Sequence, residues 1–163
     1  MDARPGSIGI SPADARLRRA QWLAILVPGA LLAGALGSQH LGGLYPCEMC
    51  FWQRYPQWAA LALGGLSFFA RRARRPLVLL AAAAIAISGA IGVFHAGVEL
   101  GWWEGLTHCS ATGAATLEDI LATPLIRCDQ VQFSFLGLSL AGWNALISLS
   151  AAGAIAWLTL RRR

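Results

Sequence analysis

CEMCFWQR, residues 47–54, sets two cysteines as C-x-x-C at the head of a long apolar segment, with an arginine one helical turn beyond the second. Helix positions three and four apart share a face, so Cys47, Cys50 and Arg54 line up if the segment is helical. A helix N-terminus and a nearby guanidinium both favour thiolate over thiol, which makes Cys50 the better placed thiolate. Taken alone, the four residues fit a redox pair, half of a metal site or two small apolar residues equally well. The surrounding chain has to decide.

The chain has 163 residues, 56% of them hydrophobic and only 13% charged, a composition far from the soluble average. It reads as an all-α membrane protein, a four-transmembrane-helix bundle, with spans at about 22–38, 51–70, 76–98 and 133–160 after a polar cytoplasmic tail at 1–20. The formal charge of +5 comes from arginine alone, and the arginines cluster at Arg4 to Arg19, Arg71 to Arg75 and Arg161 to Arg163. Those clusters flank apolar spans, as the positive-inside rule expects, which argues against nucleic acid as the partner. Four spans then put both termini and the Arg71 to Arg75 loop on the cytoplasmic side. All four cysteines fall on or near the other face.

Other local readings follow from the same frame. Arg16, Arg18 and Arg19 before the first apolar run, and the small residues Ala33 to Ser38 at its end, also fit a cleavable signal peptide. Ser88, Gly89 and Gly92 in the third span permit close helix packing. Trp52, Trp102 and Trp103 fall at the outer boundary, Trp22 and Trp157 at the inner one, while Trp58 and Trp143 read as packing. Almost no polar residue is expected to be buried within the spans.

Cys109 and Cys128 bracket the second outer loop, and a static bridge between them is one reading. Thr116 to Asp119 fits a capping box opening a short helix in that loop, lying on the bilayer or simply part of the loop. A loop that is held at the surface without a core can carry its cysteines to an external partner and back to Cys47 and Cys50, through successive thiolate attacks. The acceptor at the end of such a relay is not a haem, flavin or iron–sulfur centre, since no motif for one is present. A quinone could reach Cys50 from the bilayer, with Arg54 stabilising developing charge. The other reading of Arg54 is an interfacial side chain that snorkels.

CEMCFWQR, HAGVELGWWEGLTHC and CDQVQFSFLGLSLAGWNAL together resemble the disulfide bond formation protein B (DsbB) family of bacterial inner membranes, over about Trp22 to Leu160. The resemblance implies a multi-pass inner-membrane protein that reoxidises a periplasmic DsbA-like thiol oxidase. Its electrons would pass to ubiquinone or menaquinone, and so to the respiratory chain. It also implies that Cys47 and Cys50 are the quinone-coupled pair, with Cys50 and Arg54 at the quinone. Cys109 and Cys128 would be the partner-facing pair, with Cys128 forming the mixed disulfide and a short periplasmic helix lying between them.

Two departures stand out: a shorter loop between Cys109 and Cys128, and no histidine at the quinone, a neighbourhood that Glu104 would fill. His95, near the outer end of the third span, and His108, beside Cys109, are each either a tuning group for a thiolate or an interfacial hydrogen-bonding residue. The vitamin K epoxide reductase family shares the chemistry, but there the C-x-x-C falls late in the chain. A metal-binding membrane protein that uses the cysteines as thiolate ligands is the rival of a different class.

Overall fold

A computed structural model describes residues 11–106 and 127–161. Among the described residues there are four α-helices, α1 (Pro12–His40), α2 (Glu48–Phe69), α3 (Arg74–Glu99) and α4 (Leu140–Leu160), with a single 3-10 turn at Arg71–Ala73. Neighbours pack in the cyclic order α1, α2, α3, α4, with α3 making the broadest contacts to the helices on either side of it. Three segments, Pro12–His40, Arg71–Glu99 and Leu140–Leu160, are long and apolar enough to cross a membrane on length and composition. The remaining helix, α2, is 22 residues long and carries Gln53, Arg54 and Gln57 in its outer half.

The first helix begins ten residues before the apolar run. Ser11 caps it, its Oγ accepting from the Asp14 N–H at 3.1 Å, and Pro12 follows in the first turn, where its missing N–H costs nothing. Leu17 and Ala20 are buried, so residues 12–20, expected as part of a tail, belong to the bundle. The fourth helix is correspondingly shorter than the expected 133–160. A two-stranded hairpin, β1 (Ser134–Phe135) and β2 (Leu138–Ser139), precedes it with Ser134 opposite Ser139. Leu136 and Gly137 at φ 52° and 80° make the tight turn, and Ser139 caps α4 by accepting from the Gly142 N–H at 3.1 Å.

The core divides along the bundle axis. At the inner end Leu17, Ala20, Val78, Ala81, Ile85 and Ile155 form a small-residue cluster, and Arg74 pairs with Asp14 at 3.0 Å. At the outer end Cys47, Met49 and Val98 form a second cluster. Between them polar residues are buried among small ones, which corrects the expectation of apolar spans: Gln53, Gln57, Ser88 and Ser148 are all buried. They are tolerated because they bond one another. Gln57 Nε2 donates to Ser88 Oγ and Ser148 Oγ, both at 3.0 Å, and Ser88 Oγ donates to the Gln53 carbonyl at 2.8 Å.

Close helix contact rests on glycine. A Cβ at Gly92 would stand 3.0 Å from both the Ala141 carbonyl oxygen and the Ala145 nitrogen of α4, and one at Gly64 would stand 2.9 Å from the Ala24 carbonyl oxygen of α1. Trp58 faces outward, half exposed, which corrects its reading as packing. Trp143 is half-buried, its Nε1 donating to the Phe135 carbonyl at 2.9 Å.

Candidate functional site

The site is built where the loop from α1 turns into α2. Cys47 is the N-cap of α2 in an extended conformation, and its carbonyl accepts from the Cys50 N–H at 3.1 Å. That turn brings the sulfurs of Cys47 and Cys50 to 3.2 Å, with Cys47 donating, and both are free thiols. Cys47 is buried while Cys50 is half-buried. The hydrogen bond to Cys50, and then burial, push the Cys47 thiol up, so a negative charge on the pair belongs to Cys50. Arg54 stands one turn further along the same helix, so the three residues share the expected face.

Arg54 is held in place. Its Nη1 donates to Gln39 Oε1 at 2.6 Å, its Nη2 donates to the Ala35 carbonyl at 3.2 Å, and its guanidinium carbon lies 5.2 Å from the Phe51 ring centre. The clamp fixes a cation between α1 and α2, where a snorkelling side chain would be loose.

A histidine reaches the cysteine pair from α3. The buried face of that helix runs Val78, Ala81, Ile85, Ser88, Gly92, His95, at steps of three and four, so His95 is turned into the bundle. Its Nε2 lies 3.5 Å from Cys47 Sγ, and Gln53 Nε2 lies 2.8 Å from its Nδ1. Glu99, one turn on, puts Oε1 3.8 Å from His95 Nε2, with its side chain only 8% exposed and its Oε2 without a partner. Glu104 is exposed on the turn beyond. The acidic group at the site is therefore Glu99, because α3 ends there and the chain leaves the bundle before residue 104.

Two cavities flank this cluster. The outer one, about 60 Å³, is lined by Tyr45, Cys47, Cys50, His95, Glu99 and Arg127 among others. The other, about 200 Å³, lies between α1, α2 and α4, where Ala30, Gly34 and Ala35 face Gln53, Gln57 and Asn144. Cys50 and Arg54 line both, and so form the wall between them. Gln57 Oε1, on that second cavity, is buried without a partner. An apolar ring with carbonyl or hydroxyl oxygens fits such a space: α1 offers apolar wall, while Arg54 and Gln57 offer a charged donor and a free acceptor.

Cys128 reaches the same place from the other side. It packs against the Cys47, Met49 and Val98 cluster and interacts with the Cys47 thiol. Next to it Arg127 pairs with Asp129, its Nε donating to Oδ1 at 2.9 Å, and this pair holds the Asp129 carboxyl below the usual range. Cys109, His108 and the Thr116 to Asp119 helix lie outside the described residues. Cys47 Sγ, Cys50 Sγ and His95 also lie within 4.8 Å of one another, close enough to share a metal ion.

Sequence reasoning missed Gln53, Gln57, Asn144 and Glu99. For the two glutamines the signal was available, since they continue the Met49, Ala60, Gly64 face of α2 at steps of four and three.

A family model described as "Disulfide bond formation protein DsbB" matches residues 17–158. Among curated relatives, a "Disulfide bond formation protein B" of Polaromonas sp. is 31% identical over 150 residues, covering 85% of this chain and 88% of the relative. One of Azoarcus sp. is 33% identical, covering 91% and 96%, and one of Neisseria meningitidis serogroup C is 26% identical, covering 90% and 97%. No solved structure matches the chain.

Proposed function

This chain belongs to the DsbB family, and from that premise we propose that it is a protein-dithiol:quinone oxidoreductase of the bacterial inner membrane whose electrons pass from a periplasmic DsbA-type partner to Cys47 and Cys50. The observation that carries the residue assignment is the placement of Cys50 and Arg54 in the wall between two cavities, with Cys47 3.2 Å from Cys50 on the outer side and Cys128 packed against Cys47.

A membrane quinone supplies the two-electron acceptor, and ubiquinone and menaquinone both meet the chemistry. Cys128 and Cys109 receive the partner's electrons by thiol–disulfide exchange. The contact of Cys128 with Cys47 is the point where the loop hands those electrons to the bundle. Cys47 and Cys50 are then reduced, and Cys50 carries the charge toward the second cavity. Arg54 holds its guanidinium there, in a low-dielectric site where a preoriented cation is worth more than in water. Gln57 and Asn144 orient the acceptor ring, and the α1 wall keeps water out.

Counting thiols decides between this reading and metal binding at Cys47, Cys50 and His95. Purified protein is alkylated before and after addition of quinone. Loss of four reactive thiols in two quinone-dependent disulfides supports the relay. Thiols that become reactive only after chelation support the metal reading. Cys128→Ser should block transfer from the partner yet leave Cys47 and Cys50 open to oxidation by quinone.

A further inference from the structure

The amides beneath the cysteine pair have their orientation settled by main-chain carbonyls, which can only accept. Asn144 Nδ2 faces the Ser88 carbonyl at 3.1 Å, and the same nitrogen donates to Gln53 Oε1 at 2.7 Å. Gln53 Nε2 is thereby turned to the Met49 carbonyl at 3.3 Å and to His95 Nδ1 at 2.8 Å. His95 Nδ1 must then accept, so the one proton of the neutral ring sits on Nε2. That N–H faces Cys47 Sγ at 3.5 Å, with the Glu99 carboxylate at 3.8 Å as a second acceptor on the same side. Cys47 in turn donates to Cys50 Sγ at 3.2 Å.

We propose that Asn144, Gln53, His95 and Cys47 form a one-directional chain of hydrogen-bond donors that converges on Cys50, with Gln53 the positioning residue that selects the Nε2–H tautomer of His95. Four donors from three helices and the α2 cap point the same way, and hydrogen bonds in series polarise one another in a low-dielectric interior. The consequence is a Cys50 sulfur stabilised as thiolate from below while Arg54 acts from the side. This deepens the thiol–quinone reading and rests on it for the use made of that charge. Asn144, Gln53 and His95 keep their protons throughout. The two electrons that reach the quinone come from the Cys50 thiolate and the Cys47 thiol, which close into a disulfide as the hydroquinone leaves; Cys47 gives up one proton, and the second, lost when Cys50 ionised, is taken from water. The chain also separates the two readings of the cluster, because a ring protonated on Nε2 has no lone pair there for a metal.

The tautomer is read directly by nitrogen NMR of reduced protein with isotope-labelled histidines, the other two assigned through His40→Gln and His108→Gln. Wild type should show Nε2–H, and Gln53→Glu should show Nδ1–H, since a carboxylate only accepts. Cys50 is read by the rate of maleimide labelling at neutral pH, located by mass mapping. Gln53→Glu and the uncharged Gln53→Met should both slow it roughly tenfold or more, the usual effect of losing support to a charged group. An Nδ1–H ring in wild type overturns the proposal, as does unchanged Cys50 labelling after the tautomer has switched. Slowing in Gln53→Glu alone also overturns it, by assigning the effect to added charge. If either variant fails to fold, the wild-type spectrum still decides. Neither readout uses quinone, so wild-type protein that forms no quinone-dependent disulfide would refute the functional reading and leave the donor chain intact.

Discussion

Arg54 gives two of its guanidinium nitrogens to the last turns of α1, the Gln39 side chain and the Ala35 carbonyl. Lysine has the charge but not the planar fork, so it cannot span both acceptors at once. Arg54→Lys should therefore lower quinone turnover or raise the apparent quinone KM, and Arg54→Met should do more, with membrane levels of both unchanged. Loss of one charge-assisted hydrogen bond is worth about 1.5 to 3 kcal/mol, roughly ten- to a hundredfold. Steady-state quinone reduction by the purified variants measures it, and wild-type kinetics in both would return Arg54 to a snorkelling role. This residue was legible beforehand because a helix puts i and i+4 on one face. Glu99 was missed, although it continues the Gly92 and His95 face of α3 at a step of four. The turn at Leu100 to Trp103 has no periodicity, so the end of that helix could not be read in advance.

Between elements, α3 and α4 share a close seam, where Gly92 lets two backbones meet. Gly92→Ala forces a Cβ to within 3.0 Å of main-chain atoms that cannot swing away, and 3.1 Å of the Asn144 amide. Overpacking of this kind costs about 1 to 3 kcal/mol. Thermal unfolding in detergent should register that loss, whereas Gly153→Ala on α4, with nothing within 4 Å of its new Cβ, should be neutral or stabilising by up to about 1 kcal/mol. Equal destabilisation by both would mean that the seam is looser than described. The small residues of α3 signalled this packing in advance. The start of α4 gave no such signal, because Phe133 to Leu140 is apolar and reads as helix. Its Leu136-Gly137 pair takes positive φ, and a two-residue hairpin occupies the space where two more turns were expected.

At the scale of the whole molecule, one end of the bundle gathers the arginines. Asp14 and Arg74 pair there, and Leu17, Val78 and Ile155 pack together beneath them, so α1, α3 and α4 present their basic ends side by side. The positive-inside rule predicts that this end is cytoplasmic. Reporter fusions after Arg72 and after Arg163 should read cytoplasmic, and one near Thr116 periplasmic. A periplasmic signal at Arg72 would invert the bundle and place the cysteines in a reducing compartment. Whereas α2 carries Gln53, Arg54 and Gln57 in its outer half, the other three of the four helices could be read from hydropathy alone. The polar middle of the bundle could not, since an amide in an apolar run shows its partners only once the helices are assembled.

The larger cavity is walled by α1, α2 and α4, and its wall on the α1 side is alanine, glycine and leucine up to Ser38. A lipophilic reactant that entered past this wall would reach Cys50 without ever dissolving in water. Saturation should then follow the mole fraction of quinone in the membrane and ignore its amount per litre. In proteoliposomes of fixed protein content, adding quinone-free lipid should slow turnover as if the reactant had been diluted, while enlarging the aqueous volume around the same vesicles should change nothing.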